Sequence, residues 1–237
     1  MKSLIDLDNL PKHIAAIMDG NGRWARKRGI PRIFGHQHAV QSVREITEGC
    51  VELGVPYLTL YAFSTENWER PQEEIKALMR LIVTTLESEL KTLIENDIKL
   101  TVIGDMQSLP LRCQEELNKA IEISRDHKRL HLTIALSYSG RWEIVEVTKT
   151  IAKDVQEGLI TPADIDEPLL KSYLHTKDVP DPALLIRTSG EMRISNFLLW
   201  QIAYTELFIS EVLWPEFRKE DLYQAILAYQ QRERRFG

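Results

Sequence analysis

Short, nearly uninterrupted apolar runs alternate along this chain with longer segments whose apolar residues recur every three or four positions. The runs at 13–18 (HIAAIM), 57–63 (YLTLYAF), 100–103, 130–136 and 184–186 read as buried strands, and 208–209 as the start of another. Between them, 37–53, 72–96, 110–127, 140–156 and 167–174 carry helical spacing, and 219–235 closes the chain as a helix. Gly29, Gly54, Gly104 and Gly158 punctuate the pattern. Strands that alternate with helices require right-handed crossovers, hence a mainly parallel sheet covered on both faces. The pattern predicts a single α/β domain over residues 1–237 with about six strands, and residues 1–10 as a loosely ordered N-terminal arm.

The 72–96 segment departs from a simple amphipathic helix. Ile75, Leu78, Met79, Leu81, Ile82, Val83, Leu86, Leu90, Leu93 and Ile94 cover more than the ~100° stripe that one core face requires. Such a helix is either buried all round or lines a cavity for a long hydrocarbon with its second face.

Composition narrows the class. Of 237 residues, 43% are hydrophobic and 27% charged, enough apolar material to offset the entropy of ordering the chain and exclude disorder. The most apolar tract, 197–208, is broken by Gln201, Thr205 and Glu206, well short of the roughly 20 apolar residues of a membrane span. The opening MKSLIDLDNLPKH has no basic-then-apolar leader, and Cys50 and Cys113 form neither a CxxC pair nor a Cys/His cluster. A cytoplasmic protein without a disulfide scaffold or structural zinc is expected. The net charge of −5 argues against nucleic acid as a partner. Yet residues 20–44 hold no acid while carrying Arg23, Arg26, Lys27, Arg28, Arg32 and Arg44, a distribution suited either to a solvated face or to an anionic ligand.

Ligands of open parallel sheets sit at the carboxyl ends of the strands, so the strand exits are where chemistry belongs. After the first strand comes Asp19-Gly20-Asn21-Gly22-Arg23-Trp24, whose glycines let the backbone turn and present N–H groups to a phosphate. Asp19 beside it suits a magnesium ligand or a proton acceptor. Gly20-x-Gly22-x-x-Ala25 also fits a relaxed dinucleotide fingerprint, but the acid expected about 20 positions on is missing. Ser64-Thr65-Glu66-Asn67-Trp68-Glu69-Arg70-Pro71 follows the second strand, and reads either as a capped helix entry with Trp68 in the core or as a polar site wall. Arg187-Thr188-Ser189-Gly190-Glu191-Met192-Arg193-Ile194-Ser195 follows the fifth strand, with two guanidinium forks and three hydroxyls able to grip phosphate oxygens. Two diphosphate-capable loops and a lone aspartate point to a reaction between two phosphorylated substrates. Ser189 has no GxSxG elbow, and His36 and His38, two apart on a helix, do not face one another for metal binding.

The motifs HIAAIMDGNGRWARKRG, GHQHAV, LTLYAFSTENWERP, LLIRTSGEMRISNFLLWQIAYTEL and RERRFG, in this order from residue 11 to 237, resemble the cis-prenyltransferases. The resemblance implies a parallel sheet whose helices enclose a hydrophobic tunnel. It implies a homodimeric, Mg2+-dependent enzyme, cytoplasmic and peripheral to the inner membrane face, that adds isopentenyl diphosphate units to farnesyl diphosphate with cis geometry. The product is then an undecaprenyl-type lipid diphosphate for cell-wall glycan synthesis. By motif position, Gly20, Asn21, Gly22, Arg23, Arg32 and His36 would hold the allylic diphosphate, and Arg187, Arg193, Ile194 and Ser195 would surround that of the isopentenyl unit. Asp19, the first catalytic residue, would position magnesium with Glu206 as the second carboxylate. Ser64, Thr65, Glu66, Asn67, Trp68 and Arg70 would order the space between the substrates, with Asn67 catalytic by motif position alone, and Trp24 would pack near the prenyl chain. Arg235-Phe236-Gly237 resembles an RxG ending that reaches across the dimer. No adjacent Asp-Asp pair exists to form a DDxxD metal clamp. The chain departs from the family pattern at Ala39, at Ser137 and Ser139 and at Met192. A catalytically dead partner subunit of the same fold would lack Asp19 and the first-loop arginines, which this chain keeps.

Overall fold

The computed structural model describes residues 1–232. Six strands form one sheet: β1 (His13–Ile17), β2 (Tyr57–Ser64), β3 (Ile98–Ile103), β4 (Leu130–Tyr138), β5 (Leu184–Arg187) and β6 (Glu206–Ile209). Their order is β3-β4-β2-β1-β5-β6 and every pairing is parallel, with α-helices in each crossover except that from β5 to β6. The α-helices are α1 (Asn21–Lys27), α2 (Arg32–Leu53), α3 (Gln72–Glu95), α4 (Leu111–Ser124), α5 (Gly140–Gln156), α6 (Glu167–Tyr173) and α7 (Lys219–Gln230).

The side-chain alternation along the strands assigns the two faces. Ile14, Ala16, Leu58, Leu60, Leu100, Leu132, Leu184 and Ile186 join Ile46 and Cys50 of α2 and Leu222 and Ile226 of α7 in the main core. Ala15, Ile17, Tyr61, Ala135 and Leu185 face the other way, against Phe197 and Leu198. Helix α2 begins five residues before the apolar period does: Pro31 occupies its N-cap, Arg32 and His36 of the added turn face a cleft, and Phe34 is exposed. It stops at Gly54, whose φ of +84° lets its N–H and that of Val55 close on the Cys50 carbonyl.

The first ten residues are not the loosely ordered arm that their sequence suggests. Ile5 is buried in the main core, Gln230 of α7 bonds the backbone of Asp6 and Asn9, and Lys2 pairs with Glu52 of α2. One buried isoleucine and a bidentate amide hold the segment down. Among the described residues no helix is long and apolar enough to cross a membrane.

Candidate active site

At the carboxyl ends of β1, β2 and β5 lies a polar cavity of about 530 Å³. It is lined by Asp19, Gly20, Asn21, Gly22, Arg32 and His36 on one side, Ser64, Glu66, Asn67 and Arg70 on a second, and Arg187, Arg193 and Ser195 on a third. Thirteen residues singled out by motif, from three exits far apart in sequence, thus meet around one space. Ile17, Met18, Tyr61, Ala62, Phe63 and Asn196 complete the wall.

Local structure explains these positions. Gly20 turns with φ +109° between β1 and α1, where Leu213 leaves only about 3.0 Å for a Cβ. Gly22 lets the Arg32 guanidinium lie across it, with Nε 3.0 Å from where a Cβ would be. Gly35 admits the backbone of α1: a Cβ there would stand 2.1 Å from the Asn21 carbonyl oxygen. After β2, Ser64 and Asn67 form a reciprocal cap, the Ser64 N–H donating to Asn67 Oδ1 at 3.2 Å. The Asn67 amide is therefore engaged in shaping its own turn.

The electrostatics favour an anion. Arg32 and Arg70 converge on Glu74, at 3.4 and 3.2 Å. Burial, and then the neighbouring Arg32, press the Arg70 guanidinium below its ordinary value. Burial first, then Arg70 and Arg32, lower His36 to about 4, so its imidazole is neutral at pH 7. The Asn21 Nδ2 donates to His36 Nδ1 at 3.2 Å, leaving the proton on Nε2, and that buried Nε2 has no partner. Arg187 Nε is likewise buried and unpartnered. Two orphaned donors beside crowded guanidiniums are what an incoming phosphate would satisfy. Glu66, by contrast, stays ionised: burial raises its carboxyl, but bonds from Asn196, its own backbone, Ser64 and Thr65 outweigh that and hold it below the usual value.

Asp19 is fixed rather than free. Its Oδ2 accepts from Arg187 Nη2 at 2.9 Å, its Oδ1 from the Gly20 N–H at 2.7 Å, and Arg23 stands 3.6 Å away. Among the described residues no cluster of three or more His, Cys, Asp or Glu side chains is placed to hold a metal. One carboxylate facing a phosphate-seeking cleft fits a magnesium ion that takes its other ligands from phosphate oxygens and water, and does not fit an all-protein cage.

Six expected residues lie elsewhere. Glu206 opens β6, in register with Leu184 and through it with Ile14, at the start of the strands, whereas Asp19 follows their end. Four residues of strand at ~3.3 Å each separate those ends, far beyond a shared ion, and Glu206 pairs with Arg232 instead. Arg23 stays at the edge of the site, 3.6 Å from Asp19, but does not line the cavity; it turns to the loop after β5, bonding Ser189 O at 2.9 Å, Ser189 Oγ at 2.6 Å and Glu191 at 2.8 Å. Trp24 packs on Leu213 and Ala25 under the Arg28 guanidinium, with its N–H on Glu216, and takes no part in the apolar cavity. Trp68 is a core residue, edge-on to Phe63 with its N–H on Ser137. Thr65 donates to Ser139, and Ile194 packs beneath the sheet's second face. Arg235, Phe236 and Gly237 lie outside the described residues.

Below the polar cleft, an apolar cavity of about 220 Å³ runs between the sheet, α2 and α3. Leu78, Leu81, Ile82 and Leu86 supply the α3 wall, so the second apolar face of that helix lines a tunnel. Met18, Asn21, His36, Tyr61, Ala62 and Phe63 border both cavities and join them. A ligand that satisfies both must carry a polyanionic head and a long apolar tail, the requirement met by the substrates of prenyltransferases. Residues 17–237 match the family model for undecaprenyl diphosphate synthase, and the chain belongs to that family.

Full-length relatives agree. The chain is 52% identical over 236 residues to the isoprenyl transferase of Clostridium tetani, covering 100% of this chain and 92% of that one. It is 49% identical over 233 residues to the (2E,6E)-farnesyl-diphosphate-specific ditrans,polycis-undecaprenyl-diphosphate synthase of Pasteurella multocida, covering 98% and 97%. Among solved structures it superposes on lavandulyl diphosphate synthase from Lavandula x intermedia in complex with dimethylallyl diphosphate, with a TM-score of 0.95 and 38% identity over 97% of this chain and 99% of that one. A probable undecaprenyl diphosphate synthase from Campylobacter jejuni gives 0.80 and 32%, with the same coverage. Synthases named for different products share this backbone, so the fold alone does not select the product.

Proposed function

We propose that this chain condenses isopentenyl diphosphate units onto farnesyl diphosphate with cis double-bond geometry, giving a long-chain, undecaprenyl-type polyprenyl diphosphate for cell-wall glycan assembly. The observation that carries this reading is the junction of an anion-seeking cleft with an apolar tunnel. The farnesyl diphosphate sits with its head among Gly20, Asn21, Gly22, Arg32 and His36 and its chain directed past Ala62 into the tunnel. The isopentenyl diphosphate sits on Arg187, Arg193 and Ser195, with Glu66 and Arg70 between the two.

The chemistry then follows from position and charge. The allylic carbon–oxygen bond breaks and diphosphate departs, the isopentenyl double bond supplies the electron pair for the new carbon–carbon bond, and a proton leaves the adduct. Asp19 and the departing diphosphate are the groups in place to accept that proton, since the Asn67 amide is committed to its cap. Arg32 and His36 Nε2 stabilise charge as it develops on the leaving group, in a site that fixes both reactants. Magnesium, held by Asp19 and phosphate oxygens, would neutralise diphosphate charge when bound.

The assembly belongs to the same reading. The chain works as a homodimer and releases its product at the cytoplasmic membrane surface. Incubating the purified protein with Mg2+, farnesyl diphosphate and labelled isopentenyl diphosphate, then sizing the extracted lipid, tests the function. A long polyprenyl product that is lost at least ~10²-fold in Asp19→Ala is expected. No product from the wild-type chain with short or longer starters refutes the reading.

A further inference from the structure

Asn196 follows Ser195 in the loop after β5 and touches three segments at once. Its Oδ1 accepts from the Arg141 N–H at 3.0 Å and its carbonyl from the Gly140 N–H at 2.7 Å, which lock it onto the first turn of α5. Its Nδ2 then has one direction to point, and donates to Glu66 Oε1 at 2.7 Å across the cleft. The backbone supports this aim. Residues 195, 196 and 198 have φ of +46°, +61° and +46°, a left-handed run in which asparagine is among the few side chains readily tolerated. Packing closes around the same turn, since a Cβ on Gly140 would meet Leu199 at 2.6 Å.

We propose that Asn196 is a positioning residue for prenyl transfer: it sets the Glu66 carboxylate against the Arg187, Arg193 and Ser195 side of the cleft. The role rests on the function proposed above and adds a residue that no motif position assigned. The segment after β2 keeps two other ties, Thr65 to Ser139 at 2.9 Å and Trp68 to Ser137 at 2.9 Å. Changing Asn196 therefore leaves that backbone in place and removes the one bond that ties the Glu66 carboxylate to the loop after β5, with those from its own backbone, Ser64 and Thr65 remaining.

The bond can be broken and rebuilt with donor and acceptor exchanged. Asn196→Asp keeps an acceptor for Arg141 but opposes two carboxylates; adding Glu66→Gln gives the bond back with its polarity reversed. For Asn196→Asp, kcat/KM toward isopentenyl diphosphate should fall ~10²-fold while calorimetric binding of farnesyl diphosphate stays within ~2-fold. The Asn196→Asp/Glu66→Gln pair should recover at least ~10-fold of that loss, a coupling that a merely structural role does not produce. Wild-type kinetics in Asn196→Asp, or a pair no better than it, overturns the role and leaves the proposed function standing. Should Asn196→Asp fail to fold by circular dichroism, the pair is judged against Glu66→Gln alone: equal activity supports the role, a ~10-fold deficit overturns it. A wild-type chain that makes no prenyl product removes the function and this role together.

Discussion

Gly35→Ala puts the packing of α1 on α2 to a quantitative test. On an open helix face the change would stabilise by ~1 kcal/mol, since alanine is the better helix former. Here the added Cβ would lie 2.1 Å from Asn21 O and 2.8 Å from Asn21 C, both backbone atoms with no rotamer to escape into. Ordinary contact begins near 3.4 Å, so α1 must retreat by more than an ångström. Overpacking costs ~1–3 kcal/mol, and a clash against backbone belongs at the top of that range. The net loss is ~2 kcal/mol, which in a chain of this length lowers Tm by ~4–8 °C. The displaced Asn21 also carries the hydrogen bond to His36, so the diphosphate cleft is distorted while the protein remains folded. A shift of that size at a reacting site costs ~10²-fold in kcat/KM. Differential scanning calorimetry together with steady-state kinetics reads both effects. A variant that melts higher than wild type with unchanged kcat/KM would refute the close approach of the two helices.

Two further outcomes follow from charge and cavity shape. His13, His36 and His131 are each lowered from 6.5 to about 4, by burial before any other cause, so the unfolded chain binds more protons between those values. Stability should be fully present above pH 6.5 and fall as the pH drops toward 4, by ~3 kcal/mol for each of His13 and His36 and by less for the part-exposed His131, and urea midpoints that stay level across this window would contradict it. Ala62 borders both the cleft and the tunnel and is exposed rather than packed, so Ala62→Leu should narrow the junction and shorten the lipid product with Tm near wild type. Chromatography of the products decides this, and an unchanged chain length would place the constriction deeper.

Element order and the three loops of the cleft were legible in the sequence because strand and helix periods are local properties and the chemistry sits just beyond strand ends. The early start of α2 was hidden because Arg32 and His36 serve a polar cleft and Phe34 is exposed, so the first turn does not carry the period of a core face. What side chains meet is another matter. Trp24 and Trp68 have the composition of a ligand wall, yet one packs from α1 onto Leu213 and the other lies against the edge of a core cluster beside Phe63. Glu206 sits in a motif-bearing tract, but parallel register carries the start of β6 to the end of the sheet opposite Asp19. Asn196, with no sequence signal beyond its tolerance of left-handed backbone, reaches Glu66 from 130 positions away. Periodicity and turn chemistry act over a few residues and can be read one-dimensionally. Register, crossover and the direction of a strained turn arise only when distant segments pack, and those decided which charges share the cleft.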